Sequence, residues 1–256
     1  MPIIKRSALA ACAMGLLAAA APAPPVAAAE IDHAAQYRAC MALAKSNPEQ
    51  AFESALAWRD LGGRDAAEHC VAVALVGLKQ YAEGATRLET LAKQTKREAG
   101  MRANLLGQAA QAWLLSDNPA RAEGSLTAAL KLVPDQPELL IDRAQARAAL
   151  KDYPGALEDL DRSINLYGGS ADAFAFRAAT HRLLDHAEAA MADAEAALSL
   201  KINHPAALLE RGILRRMSGD DKGARDDWLM ILAVAPEATA ATAARASLEQ
   251  MDVNAQ

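Results

Sequence analysis

Hydrophobic positions recur at helical spacing along most of this chain, and the pattern itself repeats every 34 residues. Leu139, Leu140, Ala144, Ala148 and Leu150 mark one apolar stripe at steps of three and four. After Lys151-Asp152-Tyr153-Pro154-Gly155 a second stripe runs through Ala156, Leu157, Leu160, Ile164 and Leu166. Such steps place apolar side chains on one face of an α-helix, so 137–170 predicts two amphipathic helices and a turn. Pro154 suits the start of the second helix, where its missing N–H would lack a partner anyway. Gly168-Gly169 predicts the stop, since glycine readily takes the left-handed conformation of a C-cap.

Aligning Pro137, Ala171 and Pro205 brings the columns into register. A large apolar residue follows three later (Leu140, Phe174, Leu208), then Arg and a small residue (Arg143-Ala144, Arg177-Ala178, Arg211-Gly212). The second helix carries Ala156, Ala190 and Ala224, with Asp159, Asp193 and Asp227 three further on, and closes on Ile164, Leu198 and Leu232. A period in this range marks stacked repeats, because one helical hairpin cannot bury its apolar face alone.

The columns resemble the tetratricopeptide repeat. Its bulky position is Leu106, Leu140, Phe174 and Leu208, and its small partner Ala110, Ala144, Ala178 and Gly212. The second-helix Ala is Ala122, Ala156, Ala190 and Ala224, followed by Ala129, Ser163, Ala197 and Ile231. The closing Pro survives as Pro134 and Pro236. Arg stands where the family favours Leu in three units, and the aromatic column reads Leu126, Leu160, Ala194 and Trp228. The resemblance implies an all-α, right-handed superhelical solenoid of about six helix-turn-helix units with a C-terminal capping helix. The expected units are about 32–64, 65–98, 103–136, 137–170, 171–204 and 205–236. Lys96 to Arg102 breaks phase and predicts a kink between the second and third. Residues 237–252 read as the cap over the last apolar face, within a solenoid of 30–252, and 253–256 as a disordered tail.

Composition fits close helix packing: aromatics make up only 4% of the chain while Ala abounds. Residues 1–29 read as a signal peptide, with Lys5-Arg6 before an apolar run from Ala8 to Ala21 and Ala27-Ala28-Ala29 ahead of a cleavage site at Glu30. The run is too short for an ordinary membrane span. The expected location is the periplasm of a Gram-negative bacterium. A rival reading takes Leu9-Ala10-Ala11-Cys12 as a lipobox, giving a membrane-anchored lipoprotein, lipidated on Cys12, that acts in cell-envelope assembly. The formal charge of −5 argues against nucleic acid or anionic lipid as partner. Cys40 and Cys70 remain after processing; in an exported chain they read as one disulfide, the alternative being two buried free thiols.

Candidate chemistry is sparse. His33, His69, His181, His186 and His204 follow no metal-ligand spacing, and Ser125, Ser163 and Ser199 have no nucleophile elbow around them. No catalytic residue, metal or cofactor is expected. The recurring charges Arg143, Arg177, Arg211 and Asp159, Asp193, Asp227 lie 16 residues apart. Near a packed face they must pair or reach solvent. They therefore read either as a structural ion-pair ladder, within a unit or across to the next, or as solvated edges.

By resemblance, first helices line a concave groove that takes a protein or peptide. The inward positions expected are Asn104, Gln111, Leu114, Ile141, Gln145, Arg182, Leu183, Leu209, Ile213, Arg216 and Met217. Amides suit a peptide backbone, Arg a carboxylate and aliphatics apolar side chains. The resulting expectation is a non-catalytic scaffold or adaptor. It has no nucleic-acid partner and no membrane span, and a small-molecule substrate is not expected.

Overall fold

A computed structural model describes residues 31–254. The expected leader, Cys12 and the end of the expected tail (255–256) lie outside the described residues. Among the described residues are thirteen α-helices and no strand. Six hairpins follow one another: α1 (His33–Ser46) with α2 (Pro48–Trp58), α3 (Arg64–Gly77) with α4 (Tyr81–Gln94), and α5 (Ala99–Leu115) with α6 (Pro119–Leu132). Then come α7 (Pro137–Ala149) with α8 (Tyr153–Leu166), α9 (Ala171–Leu183) with α10 (Ala187–Leu200), and α11 (Pro205–Met217) with α12 (Asp221–Val234). A last helix, α13 (Thr239–Asn254), closes the stack.

Local chemistry explains where helices start. Asn47, Asn118, Asp152, Ser170 and Asp220 each accept a hydrogen bond from the backbone N–H three residues on, and His204 does the same through Nδ1. Each satisfies a donor that the first turn leaves without a partner. The turn inside a unit depends on one left-handed residue. Lys79, Asp117, Lys151, Asp185 and Gly219 have φ of 62°, 57°, 65°, 60° and 89°. The residue after each donates its N–H back to the first helix, as Asp152 does to the Arg147 carbonyl at 2.9 Å. The expectation at Gly168-Gly169 is therefore corrected. Neither is left-handed, and α8 ends instead through extended Tyr167 (φ −150°).

The alternation of large and small columns builds the core. Ala122, Ala156, Ala190 and Ala224 are fully buried, and Leu126, Leu140, Leu160 and Trp228 fill the space beside the small residues. A buried Leu contributes about 1.5–3 kcal/mol, so repeating the column supplies stability in equal steps along the stack. Each second helix packs on its own first helix and on the first helix of the next unit, and first helices also meet one another, as α1 meets α3 and α9 meets α11. α13 lies on α11 and α12, where Ala241, Ala244, Leu248 and Met251 cover Trp228 and Ile231.

Two boundaries differ from expectation. The extra residues near Lys96 are absorbed by starting α5 at Ala99, four residues before the expected unit boundary, after a loop from Thr95 to Glu98. At the other end α13 runs to Asn254, so 253 and 254 are helical. Between the first two units, Leu61 and Gly62 (φ +94°) leave helical geometry and turn the chain from α2 into α3.

The recurring charges meet within units. Arg143 Nε and Nη2 donate to Asp159 Oδ2 and Oδ1 at 2.8 and 2.6 Å. Arg177 holds Asp193 at 2.8 and 2.7 Å, and Arg211 holds Asp227 at 2.9 and 2.6 Å. The three carboxylates are buried, and forked geometry is what makes such a pair strong. The remaining Arg177 nitrogen reaches Asp161 of the preceding unit at 2.7 Å, and that of Arg143 reaches Thr127 at 3.4 Å. One turn further on, Arg147 and Arg215 also donate to Asp159 and Asp227, each at 2.9 Å.

Candidate functional site

A cleft of about 360 Å³ lies among α1, α3, α4 and α5 near the N-terminal end of the stack. α1 contributes His33 and Tyr37, α3 Asp65 and His69, α4 Leu91, the following loop Thr95 and Arg97, and α5 Met101 and Leu105. Its floor is tied together from helix to helix. Tyr37 Oη lies 2.8 Å from His69 Nδ1, and His69 Nε2 lies 2.9 Å from Gln108 Oε1. Because the Gln108 oxygen can only accept, Nε2 carries the proton and Tyr37 donates to Nδ1. Burial disfavours the imidazolium and lowers the His69 pKa below 6.5, while burial raises that of Tyr37. His69 is thus a neutral connector of three first helices.

The rim is polar. Thr95 Oγ1 donates to Asp65 Oδ2 at 2.6 Å and accepts from the Arg97 N–H at 3.3 Å, fixing the loop. Trp58 Nε1 donates to His33 Nδ1 at 2.9 Å, so His33 keeps its proton on Nε2. Arg97 is exposed, and Met101 is 45% exposed although it is a thioether. Cation, imidazole N–H and carboxylate therefore surround aliphatic walls, an arrangement suited to an apolar side chain with its flanking peptide groups.

The expected groove positions divide. Asn104 is exposed on α5, as is Gln111, whose Nε2 donates to Asp142 Oδ2 at 3.4 Å. Burial, opposed by this bond and reinforced by Glu138, raises the Asp142 pKa. Gln145 is half-buried, and Leu183 and Met217 are 45% and 61% exposed. Among the expected aliphatic positions Ile141 is buried, which corrects that expectation, whereas Leu114, Leu209 and Ile213 are half-buried and pack against the cores beside them. The two arginines are also committed within the chain. Arg182 Nε donates to buried Glu210 at 2.6 Å, and Arg216 Nη1 to the Ser247 carbonyl of α13 at 3.3 Å.

Cys40 on α1 and Cys70 on α3 are buried with their sulfurs at disulfide distance and Cα atoms 6.2 Å apart. Among the described residues, no group of three or more His, Cys, Asp or Glu could hold a metal ion. None of the described helices is long and apolar enough to cross a membrane.

No family model matches the chain. Over 90 residues, 34% of its length, the chain is 37% identical to Tetratricopeptide repeat protein 36 of Danio rerio, and it spans about half (48%) of that protein. The hairpin stack is also found in solved structures. TTC0263, a thermophilic protein of this repeat class from Thermus thermophilus, superposes with a TM-score of 0.60 at 18% identity, over 72% of this chain and 98% of that one. The chain has the fold of the tetratricopeptide-repeat proteins. YrrB, described as a tetratricopeptide protein with an unusual peptide-binding site, matches with a TM-score of 0.55 at 18% identity, over 69% of this chain and 90% of its own. At these identities the structural likeness speaks for the solenoid alone. The cleft of this chain falls in its first three units, whereas the expected positions began in the third.

Proposed function

We propose that this protein is a non-catalytic periplasmic tetratricopeptide scaffold whose groove binds a protein or peptide. The observation that carries the reading is the cleft between α1, α3 and α5, with Leu91, Met101 and Leu105 inside a rim of His33, Asp65 and Arg97. An extended peptide placing an apolar side chain there and a carboxylate or carbonyl near Arg97 would use both surfaces. YrrB, with its peptide-binding site on the same fold, supports this by analogy. Periplasmic location rests on the leader pattern, and an oxidising compartment would suit Cys40 and Cys70.

A peptide-display selection against the chain tests the reading. Enriched peptides should share an apolar residue and lose binding to Met101→Glu while the variant keeps its helical circular dichroism. Failure to enrich any motif, or equal binding by the variant, would overturn it. N-terminal sequencing of the exported chain should find Glu30 free; a lipid on Cys12 would favour the anchored alternative.

A further inference from the structure

α1, the first helix of the stack, buries little of itself. Within its 14 residues only Cys40 and Ala44 are buried, and Met41 and Leu43 are half-buried. The facing helix α3, of the same length, buries Ala67, Cys70, Val71, Ala72, Ala74 and Leu75. Little buried apolar surface means that a helix can lift without unfolding the rest of the stack.

This lightly held helix is nevertheless one wall of the cleft, through His33, Ala34 and Tyr37. Two links tie the wall to α3 within a single turn. Tyr37 Oη donates to His69 Nδ1 at 2.8 Å. Cys40, one turn after Tyr37, meets Cys70, the residue after His69, with Cα atoms 6.2 Å apart. Both sulfurs sit in a core shared by α1, α2 and α3, with Ala55, Val71 and Leu75. His69 in turn holds Gln108 of α5 at 2.9 Å, so a shift of α1 against α3 reaches the opposite side of the cleft.

We propose that a Cys40–Cys70 bond is a redox-sensitive clamp on the cleft: the oxidised chain presents the α1 wall to a ligand, and reduction by a dithiol releases it. The inference rests on the reading of the cleft as the binding site. In the exchange a thiolate of the dithiol attacks one sulfur and the S–S bond breaks. Its second thiolate then attacks the mixed disulfide, and the dithiol leaves as a disulfide. Cys40 and Cys70 have gained two electrons and two protons and remain as thiols. Because both sulfurs are buried, the exchange proceeds through molecules in which α1 has already lifted. Without the bond, Ala44 and half-buried side chains are left to hold α1, and each excursion of the helix takes Tyr37 off His69.

The test follows amide hydrogen exchange of the full chain before treatment with dithiothreitol, after it, and after reoxidation. In the reduced chain the amides of α1 should exchange about tenfold faster while those of α9 to α12 do not change, and reoxidation should restore the original rates. The His69 ring resonances should move in step as Tyr37 leaves. A Cys40→Ala/Cys70→Ala variant should resemble the reduced chain and ignore the reductant. Unchanged exchange in α1, or equal acceleration throughout the stack, would overturn the clamp. Peptides enriched on the oxidised chain should bind the reduced chain about tenfold more weakly, as expected when a tenth of the molecules present the wall. Equal binding despite a loosened α1 would overturn the clamp's role at the cleft. Failure to enrich any peptide would overturn the reading of the cleft instead, with the exchange rates still deciding the clamp.

Discussion

Gly212 of α11 faces the indole of Trp228 on α12 so closely that a Cβ at position 212 would overlap the ring. The preceding units carry Ala110, Ala144 and Ala178 in that small column, opposite Leu126, Leu160 and Ala194. Only the sixth unit places Trp in the large column, and only there is the facing residue Gly. Trp228 is 1% exposed and cannot move aside without opening the contact with α13. Gly212→Ala should therefore lower stability by about 1–3 kcal/mol through overpacking, despite the better helix propensity of Ala. Adding Trp228→Leu recreates the Ala144–Leu160 pair and should recover part of the loss. Urea titration of the four combinations measures this; a Gly212→Ala variant as stable as the parent would contradict it.

The Arg177–Asp193 fork makes a second prediction. Its side chains are 21% and 8% exposed, whereas those of Arg162 and Asp135, 2.8 Å apart, are 47% and 71% exposed. Removing Arg177 leaves a buried carboxylate short of its main partner, which should cost about 2–4 kcal/mol. A double-mutant cycle on Arg177 and Asp193 should give a coupling of about 1–3 kcal/mol, and one on Arg162 and Asp135 less than about 1 kcal/mol. Equal couplings would mean the buried fork contributes no more than a surface pair.

How much of this was legible in the chain depends on whether the signal repeats. The all-α class and the hairpin stack follow from columns such as Leu140, Phe174 and Leu208, which recur in phase. The second arginine column was equally periodic, at Arg147 and Arg215, but His181 interrupts it. Left-handed turn residues went unseen because Lys79, Asp117, Lys151 and Asp185 are not glycine; backbone hydrogen bonds to the first helix hold them there. The cleft was missed for another reason. It forms where phase is lost, from the loop at Thr95 and the early start of α5. The half-burial of Ile213 could not be read from its position in the repeat, because contact between α9 and α11 sets it.

Cys40 on α1 and Cys70 on α3, 30 residues apart in sequence, have their sulfurs at disulfide distance. A bond between them, closing a loop of that length, would restrain the unfolded chain and stabilise the fold by about 3–4 kcal/mol in the chain-entropy treatment. Adding a reductant should lower the melting temperature of the parent and leave a Cys40→Ala/Cys70→Ala variant unchanged. Mass spectrometry of the unreduced chain should find no free thiol. Two alkylatable thiols in that sample would instead make the pair simple core residues.

The last prediction concerns pH, and His69 sets its sign. Burial depresses its folded pKa below the 6.5 of an unfolded histidine. Above about pH 6.5 both states are neutral and the group does not affect stability. As pH falls through 6.5 the unfolded chain takes the proton first, so stability declines until the folded pKa is passed. His181 acts in the same direction, also through burial. Asp142, whose pKa is raised from 3.8 chiefly by burial, works oppositely and at lower pH, because its folded form gains the proton first. Urea midpoints should accordingly fall between about pH 7 and pH 5. His69→Gln removes the titrating ring while keeping a polar side chain between Tyr37 and Gln108, so its midpoint should fall less over the same interval. Identical slopes for parent and variant would show that His69 is not held neutral by its burial, and would remove it as the neutral connector beneath the cleft.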